Sequence, residues 1–411
     1  MRIALAAVGS RGDVYPLLAL GAALRDHGHE IVACMPDDFE DEVGARGMEF
    51  RRGGFDAYAL LSDHASAVTG GGLKMLKAQF QLLQQLFDQA FGLLPDSVSD
   101  VDFLIGAGLQ FAGPSAAQIH GIPYRYVAYT PSLLPSKEHS PGVLPFQLES
   151  HWINRALWRW AMPAMMWPIK TVLNRCRAAL DLPPVSRVLD HFVSDRVLVA
   201  ADADLVPIPR DTGFGAVSIG ALQIDVEGEL PQKLQDFIDA GSPPVYVGFG
   251  SMTDPDAAAT TRIVLEAVDR IGARAVISAG WAGLGAGPLP ENVVRVGSVS
   301  HGRLFPQMAA IVHHGGAGTT TTSARSGVAQ VIVPHLMDQF HFCSRVTRLG
   351  LGPPPVQRTK LRADGLARAL SEAIENETIQ ERCRDLGERL RAADPLKSEN
   401  VDALLAEVLT C

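Results

Sequence analysis

The sequence predicts an α/β protein with two Rossmann-like, doubly wound parallel sheets, one in each half of the chain. With 411 residues the chain is too long for one ordinary hydrophobic core. Each half opens with an apolar strand that runs into a glycine-containing turn and a helix, at Ile3–Val8 and at Val245–Phe249. Between them, the proline-rich stretch Val206–Asp211 interrupts every regular pattern, as linkers do. These observations predict an N-terminal domain, a linker and a C-terminal domain.

The domain boundaries follow from the same breaks in pattern. We expect the N-terminal domain over residues 1–205, the linker over 206–228 and the C-terminal domain over 229–395. Residues 396–411 form a separate terminal segment, with a helix predicted over Ser398–Leu409.

The composition excludes several classes of protein. The net charge is −9 with no block of like charge, whereas a nucleic-acid-binding protein needs a basic face. The five cysteines lack C-x-x-C spacing, and no His/Asp/Glu cluster has metal-ligand spacing, so we expect neither a disulfide framework nor a metal site. Glycine cuts short the first apolar strand, so we do not expect this strand to be a signal peptide. No uncharged apolar run reaches the length of a membrane span. We expect a cytoplasmic monomer or weak dimer without nucleic-acid or membrane contacts.

The first strand leads into the first candidate site. Ile3–Val8 is followed by G-S-R-G-D-V-Y-P, in which Pro16 is placed to start a helix with a wide apolar face. The glycines do not follow G-x-G-x-x-G, so the sequence gives little support for a dinucleotide site. Asp13 lies at the carboxyl end of the strand, where ligands of open α/β sheets bind.

A tryptophan-rich stretch in the N-terminal half has several interpretations. Four of the five tryptophans fall between His151 and Lys170, together with three methionines and two arginines. Such residues can form an adaptable apolar wall for a flat acceptor, for which Trp152 and Trp160 are candidates with Arg11. They can equally be a helix packed on the domain, a membrane-surface contact or a dimer contact.

The most informative stretch runs from Ala310 to Gln339 and reads as strand, turn, helix, strand, turn. The glycines of H-H-G-G-A-G let the backbone approach a ligand, and the N–H groups and dipole of the following helix form an anion site. His314 can add a donor. Asp338 and Gln339 follow the next strand and suit sugar hydroxyls. The unit therefore predicts a diphosphate cradle beside a sugar site.

The combination H-H-G-G-A-G-T-T and P-H-L-M-D-Q resembles the donor-site signature of the GT-B glycosyltransferases that use nucleotide sugars. The likeness is greatest to the family 1 type enzymes of bacteria that decorate antibiotics and other natural products, with sterol glucosyltransferases nearby. It implies two domains facing each other across a cleft, and a last helix, within 396–411, that crosses back to the N-terminal domain.

The resemblance also implies roles for individual residues. Ser10-Arg11-Gly12-Asp13 matches the S-R-G-D of the antibiotic and sterol branches, in which the Asp takes the proton of the acceptor hydroxyl; the alternative is that Asp13 only caps the helix. The residues implied to hold the donor diphosphate are His314, Gly316, Ala317, Gly318, Thr319, Gly250 and Ser251. Those implied to hold the sugar are Asp338 and Gln339.

The nucleotide base is less well specified. Trp281, Ser298 and Val299 are the candidate base contacts, although plant relatives place a Trp where this chain has Ser298. Thr322 stands where plant relatives carry the Glu that holds the ribose. Loss of that carboxylate leaves UDP and dTDP as alternatives.

The resulting hypothesis is an inverting glycosyltransferase. It moves a hexose or deoxyhexose from a UDP- or dTDP-sugar to a hydroxyl of a hydrophobic small molecule, without a metal or other cofactor. Three alternatives stay open: a nucleotide-sugar epimerase of the same architecture, a non-catalytic nucleotide-sugar binder, and a sterol or lipid glycosyltransferase.

Overall fold

Two parallel sheets organise the molecule. The structure is a computed structural model that describes residues 1–53, 73–223 and 229–410, with the side chains of 73–79 left undescribed. The sheet of the N-terminal lobe has seven strands and the sheet of the C-terminal lobe has five. The predicted α/β class with two Rossmann-like domains is confirmed.

The N-terminal sheet has the order β3-β2-β1-β4-β5-β6-β7. Its strands are β1 Arg2–Val8, β2 Glu30–Met35, β3 Glu49–Arg52, β4 Phe103–Gly108, β5 Tyr124–Ala128, β6 Arg196–Val199 and β7 Gly215–Ser218. Residues Ile3 to Val8 are almost fully buried, as the continuous apolar run predicts for a central parallel strand. The strand order reverses between β1 and β4, and a crevice at such a reversal is where ligands of this architecture bind.

The C-terminal sheet has the order β10-β9-β8-β11-β12. Its strands are β8 Val245–Gly248, β9 Ala275–Ser278, β10 Val293–Val296, β11 Ala310–His313 and β12 Gln330–Ile332. Here the order reverses between β8 and β11, which pair in register from Ala310 opposite Val245 to His313 opposite Gly248. The two glycine-containing turns singled out in the sequence follow these two strands.

Helices cover both faces of the sheets. Those of the N-terminal half are Arg11–Asp26, Glu40–Ala45, Leu73–Ser97, Gly113–His120, His151–Ala156, the π-helical Leu157–Ala161, Met162–Met165, Trp167–Ala178 and Val188–Val193. Those of the C-terminal half are Gln232–Asp239, Ala257–Arg270, His301–Leu304, Ala317–Ser326, Gln339–Leu349, Ala363–Glu375, Glu377–Ala392 and Val401–Leu409. Short 3₁₀ turns lie at Asp37–Phe39, Pro131–Leu133, Phe305–Gln307 and Arg358–Lys360.

The first helix starts earlier than the sequence indicates. It begins at Arg11 with Ser10 as its N-cap, so that Pro16 lies inside it. The early start is stabilised at Ser10, whose backbone N–H donates to Asp13 Oδ2 over 2.8 Å. Pro16 costs the helix only the bond that its missing N–H would make to Gly12 near the first turn.

The stretch predicted as a linker is partly structured. Gly215–Ser218 forms β7 and pairs with β6 at the edge of the N-terminal sheet, while residues 224–228 lie outside the described part of the chain. Four residues of small side chain give too weak a strand pattern to be recognised in the sequence.

The lobes are joined by a buried ion pair and by the end of the chain. Arg325 of the C-terminal lobe donates from Nη2 to Asp202 Oδ1 over 3.0 Å, and both side chains are nearly inaccessible. The helix Val401–Leu409 buries its apolar face in the same cluster as β1 and the Arg11–Asp26 helix. Arg125, the second residue of β5, donates from Nη2 to the carbonyl of Thr410, just after this helix, over 2.7 Å.

Candidate active site

Asp13 occupies a corner walled by two glycines at the reversal of the N-terminal sheet. Gly9 follows β1 with φ +143°, and Gly108 ends β4 with φ +63°. A Cβ at Gly108 would come within 2.9 Å of Asp13 Oδ1, and a Cβ at Gly9 would collide with the same carboxyl group. Only residues without a side chain leave room for the carboxylate here. Tyr129 adds a donor, since its hydroxyl bonds the backbone carbonyl of Asp13 over 2.5 Å.

The environment of Asp13 makes it a stronger base than an ordinary carboxylate. The side chain is half-buried. Burial raises the pKa of its carboxyl to about 6, against the opposing effect of hydrogen bonds at Ser10. Since Oδ2 accepts the Ser10 N–H, the residue caps the helix and still presents a second carboxylate oxygen. The capping interpretation therefore does not exclude the catalytic one.

On the opposite lobe, the turn after β11 forms an open helix start. Gly315 has φ +90°, and a Cβ there would come within 2.9 Å of Ile332. Gly316 is the N-cap of the helix Ala317–Ser326. The first intrahelical bond runs from Thr320 N to the Gly316 carbonyl, so the preceding N–H groups have no partner within the helix. Gly318 is exposed, so this helix start faces solvent.

His314 is fixed beside this helix start. A Cβ at Gly250, which follows β8, would come within 3.0 Å of its ring, and Gly316 lies against its Nε2. The ring is buried, and within the described residues its Nδ1 has no hydrogen-bond partner. Burial, followed by the charges of His313, His335 and His301, lowers the pKa of His314 to about 3. The imidazole is therefore neutral and carries one N–H.

The neighbouring His313 has a structural role. Its Nδ1 accepts the N–H of Gly315 over 3.1 Å, and its Nε2 lies 2.9 Å from the amide oxygen of Gln330. Both ring nitrogens are thereby used to hold the turn. This pairing assigns the Nε2–H tautomer to His313.

Asp338 and Gln339 differ in what they can offer a ligand. Asp338 is half-buried at the start of the helix Gln339–Leu349. The amide oxygen of Gln339 already accepts the backbone N–H groups of His335 and Leu336, over 2.8 and 3.0 Å. It holds the turn in which Met337 takes φ +52°, an uncommon conformation for a non-glycine residue. Gln339 therefore has only its NH₂ group to offer, and this lies 3.4 Å from Met252 Sδ.

The two lobes face one cleft. Burial, and then the negative charge of Asp13, raise the pKa of Asp338 to about 7. The Arg11 guanidinium, from the helix that carries Asp13, donates from Nη1 to the Ser298 hydroxyl of the C-terminal lobe over 3.1 Å. The structure thus brings the predicted base and one predicted sugar ligand together from opposite lobes.

Comparison with known proteins agrees with this geometry. Residues 3–118 match the family model described as Glycosyltransferase family 28 N-terminal domain, and residues 262–407 match Erythromycin biosynthesis protein CIII-like, C-terminal domain. Glycosyltransferase GtfE of Amycolatopsis orientalis is 35% identical, with 92% of this chain and 91% of that protein covered. The chain is a GT-B glycosyltransferase.

Other relatives place the enzyme within that family. Two further Amycolatopsis orientalis proteins, vancomycin aglycone glucosyltransferase and dTDP-epi-vancosaminyltransferase, are 34% and 33% identical; the alignments cover 92% and 91% of this chain and 91% and 90% of those proteins. A sterol 3-beta-glucosyltransferase of Arabidopsis thaliana is 31% identical over 92% of this chain and 63% of its own length. The solved glycotransferase of kitacinnamycin has the same fold, with TM-score 0.74, 20% identity and coverage of 99% and 98%.

The predicted base contacts of this glycosyltransferase are spread along the cleft. The backbone N–H of Trp281 donates to the Gly250 carbonyl over 3.0 Å, which holds Trp281 beside the turn that follows β8. Ser298 is exposed, and its hydroxyl accepts the hydrogen bond from the Arg11 guanidinium. Val299 is half-buried against an apolar cluster of the C-terminal lobe. The Thr322 hydroxyl donates a hydrogen bond to the Gly318 carbonyl and accepts one from the side-chain amide of Gln223 over 2.8 Å.

The predicted acceptor residues do not form one group. Arg11 reaches across to the C-terminal lobe, while Trp152 and Trp160 are 74% and 70% exposed. Sequence reasoning also missed Gly108 and Tyr129, which surround Asp13. Gly108 could have been found from the rule that the ends of neighbouring strands meet at a reversal of strand order, whereas Tyr129 carries no such signal.

Outside 54–72, 224–228 and Cys411, no three His, Cys, Asp or Glu side chains are grouped so as to hold a metal ion. Within the described part of the chain, no helix has both the length and the apolar character needed to cross a bilayer.

Proposed function

We propose that this glycosyltransferase transfers a hexose or deoxyhexose from a UDP- or dTDP-sugar to a hydroxyl of a hydrophobic natural product, with inversion and without a metal ion. The observation that carries the proposal is the cleft itself. A carboxylate with a raised pKa, Asp13, lies near enough to a second carboxylate, Asp338 of the other lobe, for its charge to raise the pKa of Asp338. Gln339, next to Asp338, lies against Gly315 at the open helix start.

In the proposed reaction, Asp13 takes the proton of the acceptor hydroxyl while its oxygen attacks the anomeric carbon. The bond from that carbon to the diphosphate breaks, and its electron pair leaves with the diphosphate oxygen. A single displacement of this kind inverts the anomeric centre. A base with a pKa near 6 is ionised at neutral pH and accepts a proton more readily than a carboxyl group of ordinary pKa.

Backbone N–H groups stabilise the negative charge that develops on the departing diphosphate. The N–H groups of Ala317, Gly318 and Thr319 point out of the helix start, where the helix dipole favours an anion. His314, neutral and with an unpartnered buried nitrogen, supplies a further donor. Fixed dipoles of this kind stabilise the charge that develops in the transition state. In other enzymes a bound metal ion has this role.

The environment of Thr322 bears on whether the donor carries dTDP or UDP. Its hydroxyl donates its proton to the Gly318 carbonyl and accepts the Gln223 amide, so a single neutral lone pair stands where plant relatives are expected to present a carboxylate to the ribose. A 2′-deoxy nucleotide would lose nothing there, and one relative is named for a dTDP-sugar. These points support dTDP over UDP as the carrier.

The proposal is tested with the purified enzyme, a panel of UDP-, dTDP- and GDP-sugars, and candidate aglycones, with and without EDTA. We expect thermal stabilisation by dTDP or UDP but not GDP, because a ligand that binds only the folded form raises its melting temperature. We also expect EDTA-resistant product with inverted anomeric configuration by NMR. Retained configuration, or isomerised donor without acceptor, would contradict the mechanism.

A further inference from the structure

The tryptophan-rich segment has one face that packs on the protein and one that does not. Its inner face is formed by Asn154, Trp158 and Met162, which are buried. The Trp158 indole donates to the carbonyl of His139 over 3.1 Å, which fixes the rotation of the segment. Pro163 cannot donate to the Arg159 carbonyl, and the turn before it, Leu157–Ala161, is wound as a π-helix.

The outer face carries the other three tryptophans of the segment. Trp152, Trp160 and Trp167 are 74%, 70% and 64% exposed, and Met165 between them is 43% exposed. The helical part from Trp152 to Met165 spans roughly 20 Å. Three large aromatic side chains so exposed along one stretch form an apolar patch of the kind that marks an interaction site.

The charges that the segment itself carries are all positive, and the acidic neighbours Glu138 and Glu149 lie at its first residue, His151. Arg155 and Arg159 are exposed on it, and the Arg159 guanidinium lies 5.3 Å from the centroid of the Trp160 ring. No acidic residue occurs between His151 and Leu180, although the chain has 45 acidic residues against 36 basic ones. The face is therefore aromatic and cationic on a protein that is acidic as a whole.

We propose that this face, defined by Trp152, Arg155, Arg159, Trp160 and Trp167, docks on the surface of an anionic lipid bilayer. Indole rings prefer the boundary between headgroups and acyl chains, and arginines beside them are attracted to anionic headgroups. The net charge of −9 led us to expect no membrane contact, but the attraction falls off within a Debye length, so the local charges decide it.

Two other occupants fit less well. In a symmetric dimer formed through this face, Arg155 and Arg159 of one copy would meet the same patch of the other copy, so like charges would be juxtaposed. A single small acceptor cannot cover indoles spread along a convex helical surface of this length. A planar anionic surface satisfies the spacing and the charge together.

The test is flotation of the full-length protein with vesicles of phosphatidylcholine alone or with about 30 mol% phosphatidylglycerol. We expect binding to the anionic vesicles only, accompanied by a blue shift of tryptophan emission. The paired change R155E/R159E, and separately W152A/W160A/W167A, should each lower the partition coefficient about tenfold or more. The matched controls R368E/R384E, on exposed positions of the C-terminal lobe, and Ile119→Ala should retain wild-type binding.

Absence of wild-type flotation with anionic vesicles would overturn the proposal. So would an equal loss in the R368E/R384E control, since the effect would then be one of net charge. A dimer that dissociates in the triple tryptophan variant would identify a second copy as the occupant instead. Donor and acceptor are absent from the assay, and thermal unfolding of each variant verifies its fold, so the result is independent of the proposed transfer reaction.

Discussion

Asp13 and Asp338 approach the same cleft from opposite lobes, and the ionisation of one bears on the other. Burial, and then the charge of Asp13, raise the pKa of Asp338 to about 7, whereas Asp13 itself titrates near 6. Because the two groups interact, the apparent pKa values belong to the pair. Asp13 is thus the first of the two to become available as a base.

Replacing Asp13 separates its two roles. Asp13→Asn keeps an oxygen that can accept the Ser10 N–H but removes the base, so we expect kcat to fall by about 10²- to 10⁴-fold with donor KM little changed. The same change removes a charge that burial disfavours, so stability at pH 8 should rise, by at most about 3 kcal/mol. Steady-state kinetics and thermal unfolding measure both effects. Asp26→Asn, at the exposed end of the same helix, is the control; unchanged kcat in Asp13→Asn would remove the base assignment.

The pH dependence follows from the raised pKa. In the folded protein Asp13 holds its proton up to about pH 6, while in the unfolded chain it loses it near pH 3.8. Its contribution to stability is therefore greatest below the unfolded pKa and is lost as pH rises through 6. Activity moves the opposite way, so kcat/KM should rise through an apparent pKa of about 6 and level off above it. A value of kcat/KM that stays constant between about pH 5 and pH 8 would contradict this prediction.

Asp338 should act on the sugar and not on the nucleotide. Above pH 7, where Asp338 is mostly ionised, we expect Asp338→Asn to weaken nucleotide-sugar binding roughly tenfold to a hundredfold, because a charge-assisted hydrogen bond to a sugar hydroxyl is lost. Binding of free dTDP or UDP should be unchanged. Calorimetric titration with each ligand distinguishes the two, and an equal loss for both would place Asp338 at the diphosphate instead.

Gly316 tests the diphosphate cradle. A methyl group at this position would collide with the His314 ring, so Gly316→Ala should displace the histidine and weaken dTDP and UDP binding about tenfold or more. The control is Gly365→Ala, inside the helix Ala363–Glu375 with no atom near the added methyl. It should leave binding intact and stabilise the protein by about 0.5–1 kcal/mol. If both variants bind alike, the cradle lies elsewhere.

Local patterns were enough to predict the architecture and the principal turns. The strand Ile3–Val8, the turn at His313–Gly318 and the carboxylate of Asp13 are each defined by a few neighbouring residues. The positions of these turns then follow from a general rule, because parallel strands on either side of a reversal end at the same crevice.

Long-range relationships could not be predicted in this way. Arg11 and Ser298 are 287 residues apart, and their contact depends on how the lobes are set. The amide oxygen of Gln339 is already hydrogen-bonded within the turn at Met337. Met337 adopts a left-handed conformation, and no glycine at that position indicates this in the sequence. The tryptophan-rich segment was ambiguous because a π-helical turn alters the period that separates Trp158 from its exposed neighbours.

The final helix has a practical consequence for hybrid enzymes. Leu404, Leu405 and Val408 complete the core of the first lobe, although they follow the whole of the second lobe in the chain. A chimera that joins lobes from two parents at residues 206–228 would therefore pair the tail of one parent with the sheet of the other. Swaps between related enzymes should carry the tail from the parent that supplies the first lobe, so that the exchange uses two crossover points.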